Sequence, residues 1–215
     1  MKPINEIATE LGLDSESLVP YGKYKAKIPL TEIKQNGKKG KLIVITGISP
    51  TPAGEGKTTT AVGLSQGMGK IGKKVVTTLR EPSLGPIFGI KGGGTGGGLS
   101  KVEPEDEVNI HFTGDAHAVG SAHNLLAALT DNAAQRGLVD GFGPNNVTLR
   151  RVTDVEERSL RSIVTGLGGS GNAPLRETGF DIVTASEVMA ILALAADLSD
   201  LRARLGKIVV GYKNS

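Results

Sequence analysis

The sequence contains no cysteine and no tryptophan among its 215 residues. Disulfide cross-links and thiolate metal sites are therefore excluded. Aromatic residues are scarce, with four Phe and three Tyr, so a folded core must consist mainly of Leu, Ile, Val and Ala. The N-terminal residues are mixed polar and lack the apolar segment of a signal peptide. The absence of cysteine fits a reducing compartment, and together these features predict a cytoplasmic location.

Long apolar runs and dense charge runs are also missing. The longest apolar stretch, Val188–Ala196, is too short to span a bilayer, which predicts no membrane partner. The 25 Lys and Arg residues exceed the 22 Asp and Glu residues by only three, and the one basic cluster is Lys38–Lys41. Without a basic patch interleaved with aromatics we expect no nucleic-acid partner. The mild positive excess suits a small polyanion such as a nucleotide.

Glycine is the residue present in excess. The 31 glycines of 215 residues are about double the usual share of roughly 7%. They are clustered rather than periodic, which excludes a collagen-like chain. The two main clusters lie at residues 85–100 and 166–179. They are interpreted either as flexible linkers or as loops that approach a ligand closely.

The order of predicted elements indicates an α/β fold. Residues 1–40 are interpreted as a helical lead-in, and residues 41–215 as one α/β domain. Lys41–Gly47 is a β-branched apolar run that predicts a buried parallel strand, Lys57–Lys70 a helix and Lys74–Leu79 a second strand. Such a β-α-β unit predicts a three-layer P-loop NTPase-like domain with a mainly parallel sheet.

The rest of the chain predicts further helices and strands. Helices are expected over residues 116–134, 154–164 and 184–197, and strands over 108–112, 147–152 and 207–212.

The segment between the first strand and the first long helix has the pattern of a phosphate-binding loop. Gly54 and Gly56 let backbone N–H groups turn inward around an anion, and the helix that begins near Lys57 adds a partial positive charge. Lys57 would reach the terminal phosphates, and Thr58 would offer its hydroxyl to Mg²⁺. The usual pattern begins with Gly where this chain has Thr51. The alternative is an ordinary strand-to-helix turn.

Arg80 follows the second predicted strand directly. Ligands of open α/β sheets bind at the carboxyl ends of parallel strands, so Arg80 is expected near the phosphate loop. A guanidinium there can hold a carboxylate or phosphate in a bidentate manner. The alternative is a surface ion pair of Arg80 with Glu81 or another neighbour.

Seven segments in order make the chain resemble formate–tetrahydrofolate ligases (formyltetrahydrofolate synthetases). The resemblance covers nearly the whole chain and corresponds to the N-terminal, nucleotide-binding portion of the family, whose C-terminal domains would lie beyond residue 215. It departs from the family pattern at Gly94, Thr95, Leu99 and Ala116. The segments that carry it are Thr51–Thr58 (TPAGEGKT), Arg80–Pro86 (REPSLGP), Gly89–Gly93 (GIKGG), His111–Asp115 (HFTGD), Ser121–Leu129 (SAHNLLAAL), Gly179–Ile182 (GFDI) and Ala185–Glu187 (ASE).

The resemblance implies ATP-dependent formylation of tetrahydrofolate through formyl phosphate. ATP, formate and tetrahydrofolate would be the substrates, with Mg²⁺ and a monovalent cation as cofactors and a homo-oligomer, typically a tetramer, as the assembly. Lys57 and Arg80 would be catalytic, with Glu81 and Asp115 orienting a cation or the substrate. The expected ATP-binding residues are Thr51, Pro52, Ala53, Gly54, Glu55, Gly56, Lys57 and Thr58.

Two other functions fit parts of the sequence. One is an ATPase switch of the partitioning or metal-insertion type, which would need a signature lysine early in the loop that residues 48–53 lack. The other is a nucleotide-binding remnant without turnover. A zinc site is not expected, because His111, His117 and His123 are spaced by six residues and do not share a helical face. They are interpreted as pocket or capping histidines.

Overall fold

The computed structural model describes residues 1–32, 40–51, 54–84, 93–94, 97–155, 157–169, 171–173 and 175–213. The chain forms two compact units. The first comprises residues 1–80 and 89–113, and the second residues 81–88 and 114–215. No described helix combines the length and the apolar character needed to cross a membrane.

The described residues of the first unit form three α-helices and a hairpin. Helix α1 ends at Gly12, which adopts a left-handed conformation (φ 74°) and donates its N–H to the carbonyls of Ala8 and Thr9. A hairpin follows, so the N-terminal segment is not purely helical. Strands β1 and β2 pair antiparallel, with Val19 opposite Lys27. The elements are α1 (Ile4–Leu11), β1 (Val19–Tyr21), β2 (Lys25–Lys27), α2 (Lys57–Lys70) and α3 (Glu105–Ile110).

A buried lysine ties the hairpin to the end of α3. Lys25 is only 8% exposed. Its ammonium donates to the carbonyl of Phe112 at 2.7 Å, lies 5.5 Å from the centre of the Phe112 ring and pairs with the carboxylate of Glu107. A buried ammonium needs such partners to offset its desolvation.

The second unit holds the longest helix, α4, and most of the strands. Its hydrophobic core lies between α4, strand β3 and helix α5, with Val183 at 1% exposure and Val152 at 3%. Ser186 caps α5 by accepting the N–H of Val188 at 3.1 Å. The elements are α4 (Asp115–Gln135), β3 (Arg151–Thr153), β4 (Ile163–Thr165), β5 (Arg176–Thr178), β6 (Phe180–Ile182), α5 (Glu187–Leu194) and α6 (Leu198–Leu205).

The strands of the second unit form one parallel and one antiparallel pair. Strands β3 and β6 pair in parallel, with Val152 opposite Asp181. Strands β4 and β5 are antiparallel, with Val164 opposite Glu177. A parallel pair covered by α4 makes the described chain a mixed α/β structure, as predicted at the level of fold class.

Several predicted strands are wrong. Residues 41–47 and 74–79 are described but belong to no strand, and their apolar side chains are exposed: Leu42 by 87%, Val44 by 71% and Val76 by 70%. Residues 207–212 make only a single bridge, between Val147 and Gly211. A β-branched apolar run favours a strand, but a strand forms only when a second segment supplies ladder hydrogen bonds.

Three further expectations are corrected by local structure. Residues 108–112 were expected to be a strand, but α3 runs through Ile110, because three acidic residues in its first turn favour a helix start. Residues 154–164 form a short 3-10 turn and strand β4 rather than a helix. The strand predicted over 147–152 is limited to Arg151–Thr153.

Candidate active site

The predicted phosphate loop leads directly into the first turn of a helix. Gly54 and Gly56 have positive φ angles of 82° and 70°, which side chains with a Cβ rarely adopt. Helix α2 begins at Lys57, directly after Gly56. Its first N–H groups therefore lack helical acceptors and can bind an anion. Pro52 and Ala53 lie outside the described residues.

Thr51 and Gly54 close the described part of the loop into a tight turn. The N–H of Gly54 donates to the carbonyl of Thr51 at 3.1 Å. The Thr51 hydroxyl donates to the carbonyl of Gly54, also at 3.1 Å. Threonine at the position where the usual pattern has glycine thus contributes a side-chain hydrogen bond that glycine could not make.

Glu55 turns back into this loop. Its Oε1 accepts the N–H of Thr51 at 2.6 Å, and its Oε2 pairs with the ammonium of Lys57. The hydrogen bond from Lys57, followed by that from the Thr51 N–H, lowers the pKa of the Glu55 carboxyl. The Glu55 side chain is 19% exposed and that of Lys57 is 47% exposed, so the ammonium remains accessible to a ligand.

Thr58 is half-buried in the first turn of α2. Its hydroxyl is the kind of hard oxygen ligand that Mg²⁺ prefers, usually together with phosphate oxygens and water. Among the described residues, no cluster of three His, Asp or Glu side chains could hold a metal ion by itself. The residues present therefore fit Mg²⁺ carried by a nucleotide rather than a cage made by the protein alone.

The other predicted site residues are divided between the two units. Arg80 is exposed and is the last residue of the segment 1–80 of the first unit. Glu81 and Asp115 are half-buried members of the second unit. Asp115 is the first residue of α4, where a carboxylate is stabilised by the helix dipole.

Comparison with known proteins settles the family. The family model described as "Formate--tetrahydrofolate ligase" matches residues 1–215. The chain belongs to this family. A formate–tetrahydrofolate ligase of Methylococcus capsulatus is 57% identical over 217 residues. A second, from Limosilactobacillus fermentum, is 56% identical over 212 residues.

The chain corresponds to part of these longer proteins. The match covers 100% of this chain but 39% of the Methylococcus protein, and 99% of this chain but 38% of the Limosilactobacillus protein. The family membership of the chain is therefore established over its whole length.

Within this member of the family, His123 is a buried structural residue. It is 5% exposed, and its Nε2 lies 2.9 Å from the carbonyl oxygen of Arg150. Because a carbonyl only accepts, these partners assign the proton to Nε2 and leave Nδ1 to accept from the Ser186 hydroxyl at 2.8 Å. His123 thus joins α4 to the cap of α5, a role that its place in a family motif did not reveal.

Replacing Ser186 by alanine is expected to lower the free energy of unfolding by about 2 kcal/mol, because the change removes the cap of α5 and leaves His123 Nδ1 without its donor. Urea unfolding followed by circular dichroism measures this loss. Ser199→Ala, at an exposed position of α6, is the control and should change the value by less than about 0.5 kcal/mol. Equal stability of the two variants would contradict the assigned role.

A second feature that the sequence did not reveal is a carboxylate that bridges two arginines. Asp131 on α4 accepts from Arg151 of β3 at 2.8 Å and from Arg176 of β5 at 2.5 Å. Arg176, with a side chain 9% exposed, also donates to the carbonyl of Pro144 at 3.0 Å. The network connects a helix with two strands. Because Asp131 lies 20 and 45 residues from its two partners, the local sequence does not reveal the contact.

Asp131→Ala is expected to cost about 3 kcal/mol of unfolding free energy, because it leaves a nearly buried guanidinium without its counter-charge. Asp181→Asn serves as the control: Asp181 is 52% exposed and lies 3.6 Å from Arg150, so its loss should cost less than about 1 kcal/mol. Chemical unfolding of both variants makes the comparison. A loss for Asp131→Ala no greater than for the control would show that the network contributes little.

Proposed function

We propose that this chain is the ATP- and formate-activating part of a formate–tetrahydrofolate ligase. The overall reaction would convert ATP, formate and tetrahydrofolate to ADP, phosphate and 10-formyltetrahydrofolate. The observation that carries the proposal is the loop between Thr51 and Thr58, which enters a helix through two left-handed glycines and presents Lys57 at the first helical position. Membership in the family supports the choice of these substrates.

In the proposed first step, an oxygen of formate attacks the γ-phosphorus of ATP. The bond to the β,γ-bridging oxygen breaks, ADP leaves, and formyl phosphate forms. The step needs no protein nucleophile, since positioning and electrostatic stabilisation carry phosphoryl transfer. Lys57 and the free N–H groups at the start of α2 would neutralise the phosphate charge, and Thr58 would hold Mg²⁺ against the phosphates. Mg²⁺, when bound, supplies further neutralisation of the transferred group.

Arg80 would bind formate and then the mixed anhydride. A guanidinium presents two parallel N–H donors that match the two oxygens of a carboxylate. Arg80 is exposed, so a ligand can reach it. In the second step the N10 amine of tetrahydrofolate attacks the formyl carbon, the bond from that carbon to the phosphate oxygen breaks, phosphate leaves, and the N10 proton is released. Glu81 and Asp115 are proposed to orient the substrate or a monovalent cation.

We further propose a three-layer P-loop NTPase-like domain over residues 41–215, preceded by the segment 1–40. The loop and helix α2 support this architecture. A homo-oligomer, a tetramer by analogy with the family, and a cytoplasmic location remain predictions.

Trapping of the acyl phosphate tests the function. The chain is incubated with Mg-ATP, formate and hydroxylamine, and formyl hydroxamate is measured. Formate-dependent hydroxamate is the expected result. ATP hydrolysis that does not respond to formate would instead indicate an ATPase switch, and nucleotide binding without turnover would indicate a binding remnant. Either of these outcomes would contradict the proposed activation step.

A further inference from the structure

The loop contains an anion of its own. One carboxylate, that of Glu55, accepts the N–H of Thr51 at 2.6 Å and pairs with the ammonium of Lys57. Backbone N–H groups and a lysine ammonium are the two kinds of donor with which a phosphate loop binds its ligand. The Glu55 carboxylate therefore occupies the same kinds of donor that a terminal phosphate would need.

The Glu55 side chain is held inward rather than extended into solvent. It is 19% exposed although it lies in a surface loop. It packs over Gly47, where an added Cβ would come within 3.1 Å of Glu55 Cγ and 3.7 Å of the Lys57 ammonium. Glycine at position 47 thus leaves the space that the inward rotamer of Glu55 fills. Three separate contacts, with Gly47, Thr51 and Lys57, define this arrangement.

We propose that Glu55 is an internal competitor that the terminal phosphate of a nucleotide must displace from Thr51 and Lys57. The inference rests on the proposed function, because it assumes that nucleotide phosphates bind in this loop. An exchange of one anion for another keeps Lys57 neutralised in both states. The apparent affinity is the intrinsic affinity multiplied by the fraction of molecules in which Glu55 has already turned away. The competition affects ligands that reach Lys57 and spares those that do not.

The matched pair of variants is Glu55→Gln and Glu103→Gln. The amide of glutamine keeps the size of the side chain but carries no charge, so it cannot form an ion pair with the ammonium. Glu103 is a close control because its carboxylate also pairs with a lysine, Lys101 at 2.8 Å, and accepts a backbone N–H, that of Glu105 at 3.3 Å. Each change removes one negative charge from the first unit.

Equilibrium binding of ATP and of AMP is measured for the full chain and for both variants. Glu55→Gln should bind ATP about three- to fivefold more tightly, the upper part of the range expected for removing an exposed ion pair. Its affinity for AMP, and the ATP affinity of Glu103→Gln, should stay within about twofold of the parent. Unchanged or weaker ATP binding by Glu55→Gln would overturn the proposal, since weaker binding would mean that Glu55 positions Lys57 for the ligand.

A Lys57→Ala variant separates this failure from failure of the proposed function. If Lys57→Ala loses ATP affinity while Glu55→Gln binds ATP with the affinity of the parent, only the competitor role is wrong. If Lys57→Ala also binds ATP with the affinity of the parent, the loop does not bind the terminal phosphates and both proposals are wrong.

Chemical labelling tests the contact without a nucleotide. Brief treatment with acetic anhydride, followed by mass spectrometry, gives the acetylation rate of each lysine. Glu55→Gln should raise the rate at Lys57 at least about twofold, because the ammonium loses an ion-pair partner, and should leave Lys101 unchanged. Equal rates at Lys57 in the parent and the variant would contradict the competitor role directly.

Discussion

Lys57→Ala is expected to abolish formate activation, lowering the rate of formyl hydroxamate production by at least about a hundredfold. The lysine is the first residue of α2 and follows Gly56, whose φ of 70° sets the turn into the helix. Removing its ammonium takes away the positive charge that balances the terminal phosphates. The hydroxylamine assay at saturating Mg-ATP measures the effect on the chemical step, and titration with ATP measures the effect on binding.

Lys70→Ala is the matched control for this change. Lys70 is exposed in the last turn of the same helix, so the substitution removes an equal charge from the end of α2 remote from the loop. Its hydroxamate rate should stay within about twofold of the parent. A rate for Lys57→Ala close to that of Lys70→Ala would refute the assignment of Lys57 to the phosphates.

Arg80→Ala is expected to abolish the rise of hydroxamate formation with formate concentration. Its affinity for ATP should stay within about threefold of the parent. The guanidinium is proposed to hold formate and its anhydride, not the nucleotide. Hydroxamate formation is therefore measured over a range of formate concentrations, with ATP binding measured in parallel. Arg80→Lys should restore only part of the response, because an ammonium cannot form the two parallel hydrogen bonds of a guanidinium.

Arg136→Ala controls for the loss of an exposed positive charge, since Arg136 is the exposed C-cap of α4. It should keep the formate response of the parent. If Arg80→Ala responds to formate as the parent does, Arg80 does not bind that substrate. If Arg80→Ala instead loses ATP affinity together with activity, Arg80 acts on the nucleotide.

Most of the predicted helices are confirmed and most of the predicted strands are wrong, for a physical reason. Helices α2, α4 and α5 were expected at 57–70, 116–134 and 184–197, and they span Lys57–Lys70, Asp115–Gln135 and Glu187–Leu194. Their hydrogen bonds and caps are local. The strands expected at 41–47 and 74–79 are absent from the described residues, because strand formation depends on a partner segment that local sequence does not specify.

In the candidate site, too, features set by neighbouring residues could be predicted, whereas contacts between residues far apart in the sequence could not. The turn at Gly54 and Gly56 and the start of α2 at Lys57 follow from local residue types and agree with the prediction. The inward contact of Glu55 was missed, although glycine at position 47 could have indicated a close approach. The buried pair of His123 and Ser186, 63 residues apart, gave no local signal at all.

The most direct test of the account is hydrogen–deuterium exchange of the chain with and without Mg-ATP. Residues 49–60 should become protected on addition of Mg-ATP, and Lys57→Ala should lose this protection. Slower exchange confined to other segments, with residues 49–60 unchanged, would contradict the claim that this loop binds the terminal phosphates.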